Sequence, residues 1–207
     1  GYGDREASLY RTDAPTISFD NLATAEALGQ NQRWGVCSFD VGGAFFQGLE
    51  TFRTDLFVAL PKEWNDELAK RGWTKPTEEK LCAQLRKDVP GTKTGPRSFY
   101  LSFERAVLGR LTENVTVVKS RQDKCLYWLH GTNKAQQRTV HGYMVIHVDD
   151  GRIRAEKDVM EALMTKIKNK LNVRDVVKWN WSEKENEHST DYLGVHMTTS
   201  RDKVTMS

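Results

Sequence analysis

The run Met144 to Arg154, MVIHVDDGRIR, restricts the fold more than any other part of the chain. The strongest strand-like stretch, Val140 to Val148, stops at two adjacent carboxylates and a glycine, and a second strand-like stretch follows at once. An Asp-Gly dipeptide between two such runs is the best short-range signal for a two-residue β-hairpin. The expectation is an Asp-Gly turn with Asp149 and Asp150 at the tip. Two neighbouring carboxylates at a tight tip repel each other, and burial raises both pKa values unless a cation sits between them. The same triplet also serves as a plain exposed turn, because such turns demand Asp and Gly.

The remaining pattern sorts around that hairpin. Ser18 precedes Leu22, Ala25 and Leu28, which predicts a helix from 18 to 28 ended near Gly29. Arg33 to Phe39 has the aromatic and β-favouring content of a buried strand, with Asp40 at its C-terminal end. Short strands are expected at 57–60, stopped by Pro61, and at 81–85. Pro96 after Gly95 opens a helix in which Phe99, Phe103, Ala106, Val107 and the stretch 109–111 recur at helical spacing. Strands follow at 115–118 and 126–129. After the hairpin, Val159, Leu163, Ile167 and Leu171, flanked by Met160 and Met164, form one apolar helix face. Residues 178–191 read as a polar loop and 192–197 as a closing strand. Because the two most strand-like runs end in carboxylates, the expected class is α+β, an antiparallel sheet packed on helices, ahead of a parallel βαβ arrangement.

Composition excludes several alternatives. The 207 residues suit one large domain or two small ones, and no stretch approaches the apolar length of a membrane span. The first residues carry no signal-peptide pattern, and the chain reads as a piece of a longer one. Cys37, Cys82 and Cys125 form no CxxC pair, which favours a reducing compartment and excludes a disulfide scaffold; Cys37 reads as core. The five histidines make no HExxH, and neither a P-loop nor a GxSxG elbow is present. Net charge is only +3, but residues 80–125 hold ten Lys or Arg against four acids, a local +6. A segment of that density either neutralises phosphates or is a solvated helix face.

Asp40 alone reads as a turn or cap residue. If Asp40 and Asp149 end neighbouring antiparallel strands, their oxygens can share Mg²⁺, which is usually held by one or two carboxylates plus substrate phosphates. Two-metal nucleotidyl transfer needs little more.

At Asp40-Val-Gly-Gly-Ala-Phe45, Leu56 to Pro61, Gly91-x-Lys93-x-x-Pro96-Arg97-x-Phe99-Tyr100, Val148-Asp149-Asp150 and Tyr192-Leu193-Gly194 the chain resembles the reverse transcriptase of copia-type LTR retrotransposons, in block order and in spacing. Arg11 to Thr16 resembles the segment before that family's first palm helix, so the similarity covers most of the chain. The resemblance implies a polymerase palm with partial fingers over residues 1–207, the first fingers strands, the thumb and the ribonuclease H region lying outside the chain. It implies RNA-directed DNA polymerisation, with Asp40 and Asp149 holding Mg²⁺, or Mn²⁺ in its place, and Asp150 supporting the charge balance. Gly42, Gly43 and Ala44 would approach the dNTP triphosphate through their backbone, and Phe45 would stack under the sugar as a steric gate. Gly91, Lys93 and Arg97 would line the dNTP and template side. The implied partners are an RNA or DNA template with its primer, dNTP and the rest of a Pol polyprotein, with no membrane. By family analogy the place is intracellular, a cytoplasmic particle and then the nucleus.

The chain also departs from the family. Gly42 stands where Lys is frequent, Thr94 where Gln is common and His147 where Tyr is usual, while Gly151 and Arg152 replace the apolar residues that normally follow the Asp pair. These departures motivate a second reading, a catalytically inactive nucleic-acid-binding remnant of such a polymerase.

Overall fold

The computed structural model describes residues 12–50, 53–61, 63–72, 82–133, 135–179, 187–200 and 203–207. In chain order its elements are α1 (Phe19–Asn31), β1 (Gly35–Val41), a 3₁₀ turn (Ala44–Gln47), β2 (Phe57–Ala59), α2 (Glu63–Lys70), β3 (Cys82–Gln84), α3 (Gly95–Val107), β4 (Gly109–Arg110), β5 (Val115–Lys119), β6 (Leu126–Thr132), β7 (Arg138–His147), β8 (Asp150–Ala155), α4 (Lys157–Lys168), β9 (Val173–Trp179), β10 (Glu187–Tyr192), β11 (Val195–Ser200) and β12 (Val204–Met206). The expected α+β class holds. Seven strands pair in the order β4-β5-β6-β7-β8-β1-β9, three more in the order β10-β11-β12, and β2 pairs with β3.

The long sheet is antiparallel throughout, and its strand order explains how distant residues meet. β1 inserts between β8 and β9 and runs antiparallel to both, so α4 carries the chain from β8 across β1 to β9. Side chains alternate between the two sheet faces. On one face Tyr143, Arg152 and Arg154 reach Glu26 of α1. On the other, Cys37, Phe39, Val41, Met144, Ile146 and Ile153 are buried, as are Val159, Leu163 and Ile167 of α4 and Phe99, Phe103 and Val107 of α3. Burying a side chain of this size is worth about 1.5–3 kcal/mol, so this apolar layer is the main source of stability. Lys166 of α4 donates to the carbonyl oxygens of Val107, Leu108 and Arg110 at 2.8, 3.0 and 3.1 Å, closing the end of α3.

The hairpin forms, with a different turn. His147 pairs with Asp150, so the two turn residues are Val148 and Asp149, and Asp150 and Gly151 belong to β8. The glycine serves packing instead: a Cβ at Gly151 would lie 2.1 Å from Cζ of Phe39, whose ring covers it from β1. Val148 takes the turn with φ +53°, a strained value for a β-branched residue.

Four further boundaries are corrected. Ser18 does cap α1, accepting from the Asn21 N–H at 3.2 Å, but the helix runs through Gly29, which is buried where the Arg154 side chain crosses. α3 ends at Val107, because Gly109 (φ +87°) turns the chain into β4. Residues 173–179 form strand β9, and 187–192 form β10 where a loop was expected; positions 180–186 lie outside the described residues. The expected strand at 192–197 is interrupted at its start: Tyr192 ends β10 and pairs with Val195 across Leu193 and Gly194, both at positive φ, and the strand proper is β11, Val195–Ser200. Cys37 is core as expected, and burial pushes its thiol up to about 11.

Gly151→Ala is expected to force the Phe39 ring aside and cost about 1–3 kcal/mol. Urea unfolding checks this, and Phe39→Leu in the same chain should recover part of the loss. An unchanged midpoint in the single variant would contradict the packing.

Candidate functional site

Asp40 is the penultimate residue of β1 and the cross-strand partner of Asp150, the first residue of β8. Partners on neighbouring antiparallel strands point to the same face. Asp149 is brought alongside by the turn, whose position β1 fixes directly: the Val41 N–H donates to the Asp149 carbonyl at 2.9 Å. One carboxylate oxygen from each of Asp40, Asp149 and Asp150 falls within 4.8 Å of the others. An oxygen-only donor set of this size suits a hard divalent cation such as Mg²⁺ or Mn²⁺ and lacks the nitrogen and sulfur ligands typical of zinc.

The electrostatics agree with that chemistry. Burial, then the charges of Asp149 and Asp175, raise the Asp40 carboxyl above its ordinary range, against the pull of Arg174. Asp150 is raised by burial and by Asp149 and Asp40, against His147. Among the described residues, this trio is the one cluster of three or more metal-ligating side chains.

Two residues that sequence reasoning missed hold the loop after Asp40. Gln47 donates through Nε2 to the Gly42 carbonyl at 2.7 Å and accepts the Asn172 N–H on Oε1 at 2.7 Å, tying the 3₁₀ turn to the start of β9. Arg174 of β9 lies over Gly42, where a Cβ would come within 2.3 Å of its Nε. Gly42 thus makes room for a guanidinium beside Asp40. The apolar content of β9 was the available signal for Arg174; Gln47 had none, since its role depends on a contact 125 positions away.

The other expected site residues fall into two groups. Gly42, Gly43, Ala44 and Phe45 follow Asp40 directly. The Gly42 N–H donates to the Asn172 carbonyl at 2.9 Å, Gly43 turns with φ +64° and Ala44 is buried. Phe45 is half-buried against the core near Gly95, while the next ring, Phe46, is 56% exposed. Gly91, Lys93 and Arg97 belong to the loop before α3 and its first turn. Gly91 (φ +95°) and Lys93 are exposed, and Arg97 lies 3.7 Å from Asp13 and 5.7 Å from the centre of the Tyr100 ring. The loop is tied to the helix by buried Asp88, which accepts from the hydroxyls of Thr94 and Ser98. α3 in turn reaches the 3₁₀ turn, with the Ser102 hydroxyl donating to the Gln47 carbonyl at 2.9 Å. Within the basic segment Lys119 is engaged by Glu104 and Tyr100, and Lys80 lies outside the described residues. Arg152, two residues after Asp150 on β8, is fully buried and pairs with Glu26 of α1.

No protein-family model and no curated protein sequence matches the chain. Among solved structures, telomerase from Candida albicans in complex with a fragment of telomeric RNA is similar over 98% of this chain and 37% of that one, at 11% identity and a TM-score of 0.40. A likeness of that size carries no argument about what the chain does. No helix among the described residues is long and apolar enough to cross a membrane.

Raised carboxyls mean that the folded chain binds protons more tightly than the unfolded one. The ionised cluster therefore lowers stability; the penalty is absent below the unfolded carboxylate pKa of about 3.9 and grows as pH rises through it towards the raised folded values. Asp150→Asn should accordingly raise Tm by a few degrees at pH 7 in the presence of EDTA, with the gain shrinking as pH approaches about 4. Thermal denaturation checks this, and identical Tm values at pH 7 would contradict the mutual repulsion.

Proposed function

We propose that the chain is the catalytic core of an RNA-directed DNA polymerase of the copia-type retrotransposon class, with the α+β body acting as polymerase palm and partial fingers. The observation that carries this reading is the convergence of Asp40 with Asp149 and Asp150, from opposite halves of the sequence, on one sheet end. Asp40 and Asp149 are the residues to which the family resemblance gives metal binding, with Asp150 supporting the charge balance, and three carboxylates held this close repel one another unless a cation sits between them. Asp40 and Asp149 would hold Mg²⁺, or Mn²⁺ in its place, with Asp150 adding to the local negative charge. The bound cations would supply Lewis-acid stabilisation of the primer 3′-oxygen and the dNTP phosphates.

The chain's own residues supply position. Gly43 and Ala44 would bring backbone close to the triphosphate, while the Gly42 N–H stays engaged with Asn172. Phe45 would hold the sugar from below, its ring lying beside Gly95. Gly91, Lys93 and Arg97 would line the template and dNTP side, within a basic segment suited to phosphate neutralisation. Two of the departures behind the inactive reading have packing roles of their own, since Gly151 sits under Phe39 and Arg152 is paired inside.

Primer extension on an RNA template with dNTPs and Mg²⁺ tests the proposal. In a longer chain that restores the first fingers strands and the thumb the primer should be extended, and Asp149→Asn in the same longer chain should lower the rate by roughly a hundredfold or more. Equal extension by both proteins overturns the metal role. Template–primer binding that falls steeply with salt, without any Mg²⁺-dependent extension, overturns polymerisation in favour of the inactive remnant.

A further inference from the structure

Behind the three carboxylates lies a second charged cluster, and it is completely enclosed. Glu26, Arg152 and Arg154 have no exposed surface. Arg152 donates to Glu26 through Nε at 2.7 Å and Nη2 at 3.2 Å, and to the Ser38 hydroxyl through Nη1 at 3.2 Å. Arg154 donates through Nη1 to the Glu26 carboxylate at 3.0 Å and to its carbonyl at 3.2 Å, and through Nη2 to Gln30 at 3.2 Å. The Tyr143 hydroxyl donates to the same Glu26 carboxylate at 2.7 Å. Two guanidinium groups thus share one carboxylate, which leaves one net positive charge in the interior. Burial alone would raise the Glu26 carboxyl; the two arginines and Tyr143 hold it below its ordinary value.

Buried ion groups of this kind add little net stability, because desolvation offsets their attraction, and apolar residues of similar volume serve as well or better. Where they are kept, fixing one arrangement among several is the best-attested use. Placement shows which arrangement this cluster fixes. Asp150, Arg152 and Arg154 alternate along β8 and share a face, and they pair with Asp40, Ser38 and Val36 of β1 in register. A slip of β8 by one residue would turn its carboxylate to the opposite face; a slip by two would keep the face but leave Glu26 with the wrong partner. Arg152 spans both sides of the joint, holding α1 through Glu26 and β1 through Ser38, two residues from Asp150.

We propose that the Glu26–Arg152–Arg154 cluster is a positioning device for the candidate active site, with Arg152 clamping β8 to α1 and β1 so that Asp149 and Asp150 stand opposite Asp40. The inference rests on the cation-binding role of those aspartates proposed above. Arg152 touches no substrate and acts through the strand it holds. Lysine at this position keeps the charge and loses the fork that reaches Glu26 and Ser38 together.

Mn²⁺ binding to the whole chain, followed by electron paramagnetic resonance without nucleotide or primer, provides the test. Arg152→Lys should weaken Mn²⁺ binding about tenfold, as loss of an outer support for metal ligands typically does. Leu163→Ala, which opens a cavity in the α4 layer and destabilises the fold by another route, should leave Mn²⁺ affinity unchanged. If Arg152→Lys does not fold, Ser38→Ala, which removes only the Nη1 contact, takes its place and should weaken binding in the same direction. Unchanged affinity in the folded variant of Arg152 or Ser38, or an equal loss in Leu163→Ala, overturns the positioning role alone. No Mn²⁺ binding by the native chain overturns the cation site itself, and with it this inference.

Discussion

Everything in the candidate site depends on the antiparallel seam between β1 and β8. That pairing sets Asp40 against Asp150, and the Val41 N–H bond to the Asp149 carbonyl holds the turn to the same strand. The seam is fastened on both faces by different physics. On the α3 and α4 side the Phe39 ring fills the space above Gly151, where any side chain would collide with it. On the α1 side the forked guanidinium of Arg152 joins Glu26 and Ser38. Shape fixes one face and directional hydrogen bonding the other, and a one-residue slip, which exchanges the two faces, would lose both.

Charge is distributed along this seam in a definite order. Acids gather at the open end, where the charge of Asp149 raises the carboxyls of both Asp40 and Asp150, and cations lie in the closed interior behind them. Arg174 approaches from the opposite flank over Gly42 and draws the Asp40 carboxyl down. An acidic cluster of this kind is electrostatically unsatisfied, which is the condition under which a divalent cation is most strongly attracted. The strained Val148 backbone at the turn fits the general tendency for strain to concentrate at functional positions.

Much of this was legible in the sequence, and the exceptions have physical reasons. The α4 face, the α3 face and β7 were visible because burial imposes a strict period on their apolar residues, as at Val159, Leu163 and Ile167. Asp40 and the Asp149-Asp150 pair were legible as carboxylates at strand ends, but that they meet depends on β1 inserting between β8 and β9, a topological fact carried by no local pattern. The Asp-Gly turn was misplaced because Gly151 is glycine for a neighbour's ring and not for its own backbone. Gly29 misled for the same reason, being demanded by Arg154 and not by a helix end. Glu26 lay unread on a helix of otherwise ordinary composition, since a buried charge leaves no periodic trace and gains meaning only from partners more than a hundred residues away. β10 was read as loop because its residues are mostly polar, and its pairing with β11 supplies what its side chains do not.

Folding joins Asp40 to the distant Asp149-Asp150 pair, and the proposed divalent-cation site stands or falls with that meeting. Mn²⁺ titration of the isotopically labelled chain, followed through paramagnetic broadening of individual amide resonances, tests it most directly. Broadening at low Mn²⁺ should centre on residues 40–43 and 148–151 together, and Mg²⁺ in excess should reverse it. Broadening confined to one of the two segments, spread over exposed acids elsewhere, or unaffected by Mg²⁺ would contradict the proposed site.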